Sequence, residues 1–394
     1  MDFQVYWLLA LPVFFGLGWL AARVDIRHLL IESRALPASY FKGLNLLLNE
    51  QPDKAIESFI EVARAEQQTV ELQFALGGLF RRRGEVDRAT RMHQNLVERT
   101  DLGPQQRTEA LYELALDFLK AGLLDRAEPL FERLKDSDYE ESALHHLLDI
   151  HVTEKDWTRA IQVARVLEQK TGEDRRGDMA NFYCELAILA HTRSQFEEAQ
   201  DFLKQALETQ RNCVRAYVLR GEWTFKAGRV EEACAQWQEL EQRDPDYLFL
   251  VARPLSDALR QLGQVNEAVT LMQGWMERYP NLDLLSLAFQ LTLEIRGVED
   301  ALRLVRAELE RRPTLGNLDR FLEAQLVSVA PELRAEVQRM RDIVHGHYER
   351  LAFYQCRHCG FKARSFHWHC PACGNWDSYP PRRQVETEGS AVTR

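Results

Sequence analysis

The chain has 394 residues, 45% of them hydrophobic, and a formal net charge of −10. That is length and apolar content for two or three packed domains. The acidic balance argues against a chain built as a whole to hold nucleic acid. Charge is uneven: Arg350, Arg357, Lys362, Arg364, Arg382 and Arg383 against Asp377 make 350–383 net +5, residues 384–394 carry −1, and 1–349 therefore carries −14.

The first element is apolar. From Phe3 to Ala22 twenty residues pass without a charge, and a helix of about 20 residues spans a hydrocarbon core of roughly 30 Å. Tyr6, Trp7 and Trp19 stand near its ends, where amphipathic rings favour the interface. A cleaved signal peptide would want a basic leader and a shorter apolar run, whereas only Asp2 precedes this one. The expectation is an uncleaved transmembrane anchor over 1–22 and a juxtamembrane linker over 23–36. Arg23, Arg27 and Arg34 follow the segment and nothing basic precedes it, which places the body on the cytoplasmic side.

Next comes a repeat. An alanine stands five residues after a turn position in Glu50/Ala55, Gly84/Ala89, Gly122/Ala127, Lys155/Ala160, Ser194/Ala199, Gly228/Ala233, Gly263/Ala268 and Arg296/Ala301. Successive alanines lie 34, 38, 33, 39, 34, 35 and 33 residues apart, and one further step of 34 reaches Ala335. Each unit reads as two amphipathic helices joined by a tight turn. Twelve residues before the alanine a small residue recurs (Gly43, Gly77, Ala115, Ala187, Gly221, Ser256); four after it stands a large one (Phe59, Phe131, Leu203, Trp237, Met272). The expectation is that small residue faces small residue, so that the two helix axes come close, with the large side chains filling the groove beside them. One such hairpin cannot bury its apolar face alone, but a stack can.

This pattern resembles the tetratricopeptide repeat over residues 37–348, eight units and a degenerate ninth. The resemblance implies an all-α superhelical solenoid whose first helices line a concave, protein-binding face. Tyr40, Phe74, Arg81, Tyr112, His145, Glu222 and Arg260 are the residues expected to look into it.

The most specific signal comes last. Cys356-Arg-His-Cys359 and Cys370-Pro-Ala-Cys373 stand ten residues apart. Two CxxC turns supply four soft ligands, enough to close a tetrahedral zinc or iron site. Gly360 and Gly374 follow the second cysteine of each pair, where the chain must turn sharply. So short a module cannot fold on apolar burial alone, so the metal must supply much of its stability. Two hairpins are expected, each with one knuckle and with strands around FKARSFHWH, over a miniature core of Phe353, Tyr354, Phe361, Phe366, Trp368, Trp376 and Tyr379. His358, His367 and His369 are nearby but superfluous as ligands. Cys184, Cys213 and Cys234 read as scattered apolar fillers, and His145, His146 and His151 do not share one helix face. No phosphate-binding loop, zinc-protease, serine-hydrolase or dinucleotide motif occurs, so no enzyme is expected. The module spans 349–380, with a disordered tail over 381–394.

The aromatic-flanked knuckles resemble rubredoxins and zinc ribbons. Anchor, repeats and four-cysteine tail together resemble the lipopolysaccharide assembly protein B family of Gram-negative bacteria, over the whole chain. That resemblance implies an inner-membrane scaffold that regulates lipopolysaccharide synthesis. It implies that the scaffold promotes proteolysis of the lipid A pathway's deacetylase by the membrane-bound AAA+ protease and is linked to lipopolysaccharide export proteins. It also implies one tetrathiolate ion on Cys356, Cys359, Cys370 and Cys373: iron in the family, zinc being the alternative. The competing expectation is a rubredoxin-type electron carrier or iron sensor. A basic zinc ribbon gripping nucleic acid is disfavoured by the acidic body and the anchor.

Overall fold

The computed structural model describes Phe15 and residues 70–280, 282–379 and 384–385. The expected anchor (Phe15 apart), the linker, Tyr40 and the rest of the first repeat lie outside the described residues. Among the described residues no helix is long and apolar enough to cross a membrane.

Sixteen described helices follow one another in pairs. They are α1 (Val70–Arg82) and α2 (Val86–Glu98), α3 (Pro104–Lys120) and α4 (Leu124–Glu132), α5 (Glu140–Glu154) and α6 (Trp157–Thr171), and α7 (Arg176–Thr192) and α8 (Phe196–Thr209). Then come α9 (Val214–Lys226) and α10 (Val230–Arg243), α11 (Leu248–Gln261) and α12 (Val265–Arg278), α13 (Leu285–Arg296) and α14 (Val298–Arg311), and α15 (Leu315–Ser328) and α16 (Pro331–Leu351). They fall into two compact units, 1–150 and 151–394. Within the first, α1 to α4, and within the second, α6 to α16, pack each on the next in the chain, the neighbour-to-neighbour arrangement of a helical solenoid.

The repeating turn has one backbone conformation. Gly84, Gly122, Lys155, Ser194, Gly228 and Gly263 all take a left-handed φ, between 60° and 81°. The residue after each returns its N–H to the helix just ended, as in Glu85 to Phe80 O (2.9 Å), Leu123 to Phe118 O (2.9 Å) and Gln264 to Leu259 O (2.8 Å). This is the six-to-one bond that closes a helix through a left-handed residue. In the unit of Ala301 the left-handed residue is Gly297 rather than Arg296. Its ψ of −177° sets it apart from an αL turn, in a conformation open in practice to glycine alone, so this turn differs in form as well as position.

The key alanines from Ala89 to Ala301 are fully buried. At Gly77 and Gly221 the small residue before them does something other than expected: it lies beneath the large residue of the partner helix. A Cβ on Gly77 would stand 2.3 Å from the His93 ring, and one on Gly221 2.2 Å from Trp237 Nε1. The missing side chain is a hollow into which the ring four residues after the alanine is set. Trp237, Trp275, Met272 and Leu255, none exposed, belong to one apolar core running from α9 into α15.

After α16 the chain enters β1 (Ala352–Gln355), which pairs antiparallel with both β2 (Lys362–Ala363) and β3 (Gln384–Val385) in the order β2-β1-β3. The β1–β2 register is Tyr354 to Ala363 and Gln355 to Lys362. Only one of the two expected hairpins forms paired strands. The second knuckle is closed by an antiparallel bridge, His369 to Trp376, with Cys370 N–H bonded to Asn375 O and Asp377 N–H to Trp368 O, each at 2.9 Å. Gln384 and Val385, in the stretch expected to be disordered, form β3 against Ala352 and Phe353.

Candidate metal centre

The two knuckles are built alike. Cys356 N–H bonds to Phe361 O and Cys370 N–H to Asn375 O, each at 2.9 Å. Gly360 N–H returns to Cys356 O at 3.0 Å and Gly374 N–H to Cys370 O at 2.9 Å, with φ of 77° and 72° at the two glycines. Each loop thus folds its pair of sulfurs to one side.

The four sulfurs meet within 4.8 Å of one another. Cys356 Sγ lies 3.8 Å from Cys373 Sγ, and Cys359 Sγ 3.8 Å from Cys370 Sγ. Metal–sulfur bonds of ~2.3 Å in a tetrahedron give an edge of ~3.8 Å. The donor set therefore fits one four-coordinate ion, and an all-sulfur tetrahedron suits zinc or iron equally. Among the described residues, none of His358, His367 and His369 joins the group.

Burial opposes the Cys356 thiolate, but the Ser378 hydroxyl and the N–H groups of Cys359 and His358 outweigh it and bring that thiol down to about 6. Burial pushes Cys373 up to about 12, helped by the sulfurs of Cys370, Cys359 and Cys356. Four thiolates this close repel one another, so the geometry calls for a cation at its centre. Tyr379, wholly buried, sets its hydroxyl 3.7 Å from Cys370 Sγ.

The module's own core is smaller than expected: Tyr354, Cys356, Cys370 and Tyr379, with Ala363, Phe366 and Cys373 against it. Phe361 is exposed, and the side chain of Phe353 lies outside the described residues. The other aromatics face the repeats. Trp368 stacks on Tyr247, in the turn between α10 and α11, at 5.7 Å and 8°. Phe366 meets Phe249 edge-on at 6.1 Å. Trp376 stands edge-on to Trp157 of α6 and Phe182 of α7, at 6.2 and 6.1 Å, with the Arg215 guanidinium 5.2 Å from its ring. Asn181 of α7 donates a 2.7 Å hydrogen bond to Asp377. The module is thus seated by three aromatic side chains and by Asp377.

Residues 354–380 match the rubredoxin metal binding domain, and 42–90, 112–174 and 184–247 match the tetratricopeptide repeat. Lipopolysaccharide assembly protein B of Escherichia coli K12 is 32% identical over 382 residues, covering 96% of this chain and 98% of that protein. The chain belongs to the lipopolysaccharide assembly protein B family. The family's protein from Haemophilus influenzae is 29% identical over 391 residues, covering 95% of this chain and 97% of that one. A crystal structure of MamA aligns with a TM-score of 0.32 at 19% identity, covering 43% of this chain and 94% of that one.

The residues expected in a concave groove have varied surroundings. Arg81 is bonded to Glu113 (2.6 Å) and Asp117 (2.9 Å), and Asp117 also holds the buried His93 at 2.5 Å. Phe74 packs on the cluster around Leu96, and Tyr112 stacks on Tyr139 at 4.6 Å. His145 and Glu222 are half-buried, and exposed Arg260 pairs with Asp257 and Glu294. Cys184 and Cys213 are not scattered: their sulfurs lie 3.8 Å apart beneath the module's seat, from neighbouring repeats. Their spacing of 29 residues, close to the repeat period, is the signal that would have paired them.

Proposed function

We propose that this protein is a membrane-tethered, non-enzymatic scaffold serving lipopolysaccharide assembly. The observation that carries the reading is the match, along 96% of this chain and 98% of its relative, to a protein named for lipopolysaccharide assembly. The repeat architecture supports it, because stacked helical hairpins present long surfaces suited to holding other proteins. On this reading residues 1–22 anchor the chain in the bacterial inner membrane with the body in the cytoplasm. There it brings the lipid A pathway deacetylase to the membrane-bound AAA+ protease and contacts lipopolysaccharide export proteins. Tethering raises the effective concentration of partners confined to one membrane without demanding tight individual contacts. The four-cysteine site holds the last segment on α6, α7 and the α10–α11 turn, so the ion is structural here.

The test is a chase of the deacetylase after protein synthesis is stopped, in cells lacking the scaffold and in cells carrying the wild type or a Cys356→Ser, Cys359→Ser double variant. The wild type shortens the deacetylase half-life; its absence and the double variant lengthen it severalfold. An unchanged half-life in all three strains refutes the adaptor reading.

A further inference from the structure

Two hollows lie along α8, away from the metal module. One, of about 860 Å³, is lined by His191, Phe196 and Trp223, with Lys226 and Arg229 at its rim. The other, of about 500 Å³, is lined by Lys204, Arg211, Arg220 and Arg243 over Leu203, Leu207 and Tyr217. Both include Gln200 and Asp201, so they form one cleft beside α8 with α9 as its other wall.

Its two ends differ in chemistry. At the first, the His191 and Trp223 rings stack at 4.2 Å and 16°, Phe196 meets His191 edge-on at 5.3 Å, and Phe196 is 59% exposed. Trp223 is buried beneath and His191 half-buried, so Phe196 is the solvent-facing ring of this end, and an exposed ring on an aromatic base accepts another. At the second end, Arg220 and Arg243 lie near the Tyr217 ring, 5.2 and 5.9 Å from its centroid, and share Glu239 at 3.5 and 2.8 Å. The Nε atoms of both are buried without a hydrogen-bond partner. Lys204 pairs only loosely with Glu208, at 3.9 Å, and Arg211 is exposed. Four cations there face three carboxylates, Asp201, Glu208 and Glu239, a surplus of one positive charge. Guanidinium forks in this surplus favour a carboxylate partner.

We propose that this cleft binds an extended peptide segment of a partner protein, with an aromatic side chain at one end and carboxylates at the other. The 14-residue α8 is about 21 Å long, which about six extended residues cover. Asp201, midway, disfavours an acid in the spacer. This chemistry is independent of the pathway the protein serves.

The probe is a fluorescein-labelled peptide of one Trp, four Gly or Ser residues and two Glu, titrated with the full-length protein in detergent and read by anisotropy. The expected result is saturable binding, weakened about tenfold when Trp becomes Ala or both Glu become Gln. Arg211→Gln, an exposed site, weakens the acidic peptide but not its Gln version; Phe196→Ala weakens the Trp peptide but not its Ala version. Circular dichroism confirms that both variants are folded. The proposal is overturned if no saturation occurs, if either variant weakens every peptide alike, or if anionic lipid vesicles bind in an Arg211-dependent way while the peptide does not.

Discussion

Asn181 and Asp377, 196 residues apart in the chain, are joined by a hydrogen bond of 2.7 Å. It fixes the rim of the seat on which the metal module rests, but the apolar contacts beside it carry more of the energy. Trp376→Ala removes a ring held among Trp157, Phe182 and Arg215, and a buried aromatic truncated to alanine costs about 3–5 kcal/mol, less where it is half-exposed. Asp377→Ala removes one hydrogen bond, about 1 kcal/mol. Amide hydrogen exchange over 354–379 should therefore rise strongly in Trp376→Ala and modestly in Asp377→Ala. The reverse order would show that the hydrogen bond, not the ring, holds the module.

Removal of the ion tests the other half of that attachment. The wild type should carry one metal ion per chain, and Cys370→Ser less than about a tenth of that, since a three-sulfur site loses the closed tetrahedron. Stripping the ion with a chelator should red-shift tryptophan emission, as Trp368 and Trp376 leave the repeats, while the helical circular dichroism of the solenoid persists. Visible colour in protein purified without air would identify iron, and its lack together with stoichiometric zinc would identify zinc. A chelated protein with unchanged emission would show that the seat holds the module without its ion.

The repeat register and the meeting of the four cysteines were legible in the sequence because each is fixed locally. A left-handed turn followed five residues later by a buried alanine leaves the same trace in the six units from Gly84/Ala89 to Gly263/Ala268, and a CxxC loop has little choice of geometry. The destination of Phe366, Trp368 and Trp376 was not legible. In a module of some thirty residues, aromatic side chains read as its own core, and nothing local says that Tyr247, Phe249 and Phe182, 100 to 200 residues away, will receive them. The apposition of Cys184 and Cys213 was hidden similarly, since two thiols one repeat apart meet only if both face the same inter-repeat seam. The partner of Gly77 and Gly221 was misjudged because periodicity gives which positions share a face but not which side chain enters which hollow.

Glu222 gives a pH signature. Burial pushes its carboxyl above the usual glutamate range, and only Lys226 opposes the shift. A carboxyl raised in the folded state contributes stability that is complete below the unfolded pKa and is lost as pH rises through the folded one. At neutral pH its charge is therefore a burden, and Glu222→Gln should raise the urea midpoint of the protein at pH 7. That gain should shrink as pH falls toward the ordinary glutamate range and vanish below it. A gain that is constant across pH would place its origin elsewhere.

The Gly221–Trp237 contact makes the sharpest test of how the repeats interlock. Alanine favours a helix interior over glycine by about 1 kcal/mol, so by propensity alone Gly221→Ala should stabilise α9. Its Cβ, however, would fall 2.2 Å from Trp237 Nε1 and 2.6 Å from Cδ1, and Trp237 is wholly buried, so the ring must shift against a packed core. Overpacking of this kind costs about 1–3 kcal/mol, so the variant should be destabilised despite its better propensity. Trp237→Leu alone leaves a cavity and costs about 3–5 kcal/mol by analogy with large-to-small core changes. In the double variant the new methyl occupies part of that cavity, so its loss should be smaller than the sum of the two single losses by more than about 0.5 kcal/mol, the scatter expected of independent sites. Urea denaturation of the four proteins, followed by helical circular dichroism, measures this coupling. Additive losses would mean that the glycine's place opposite the ring is not what sets the spacing of α9 and α10.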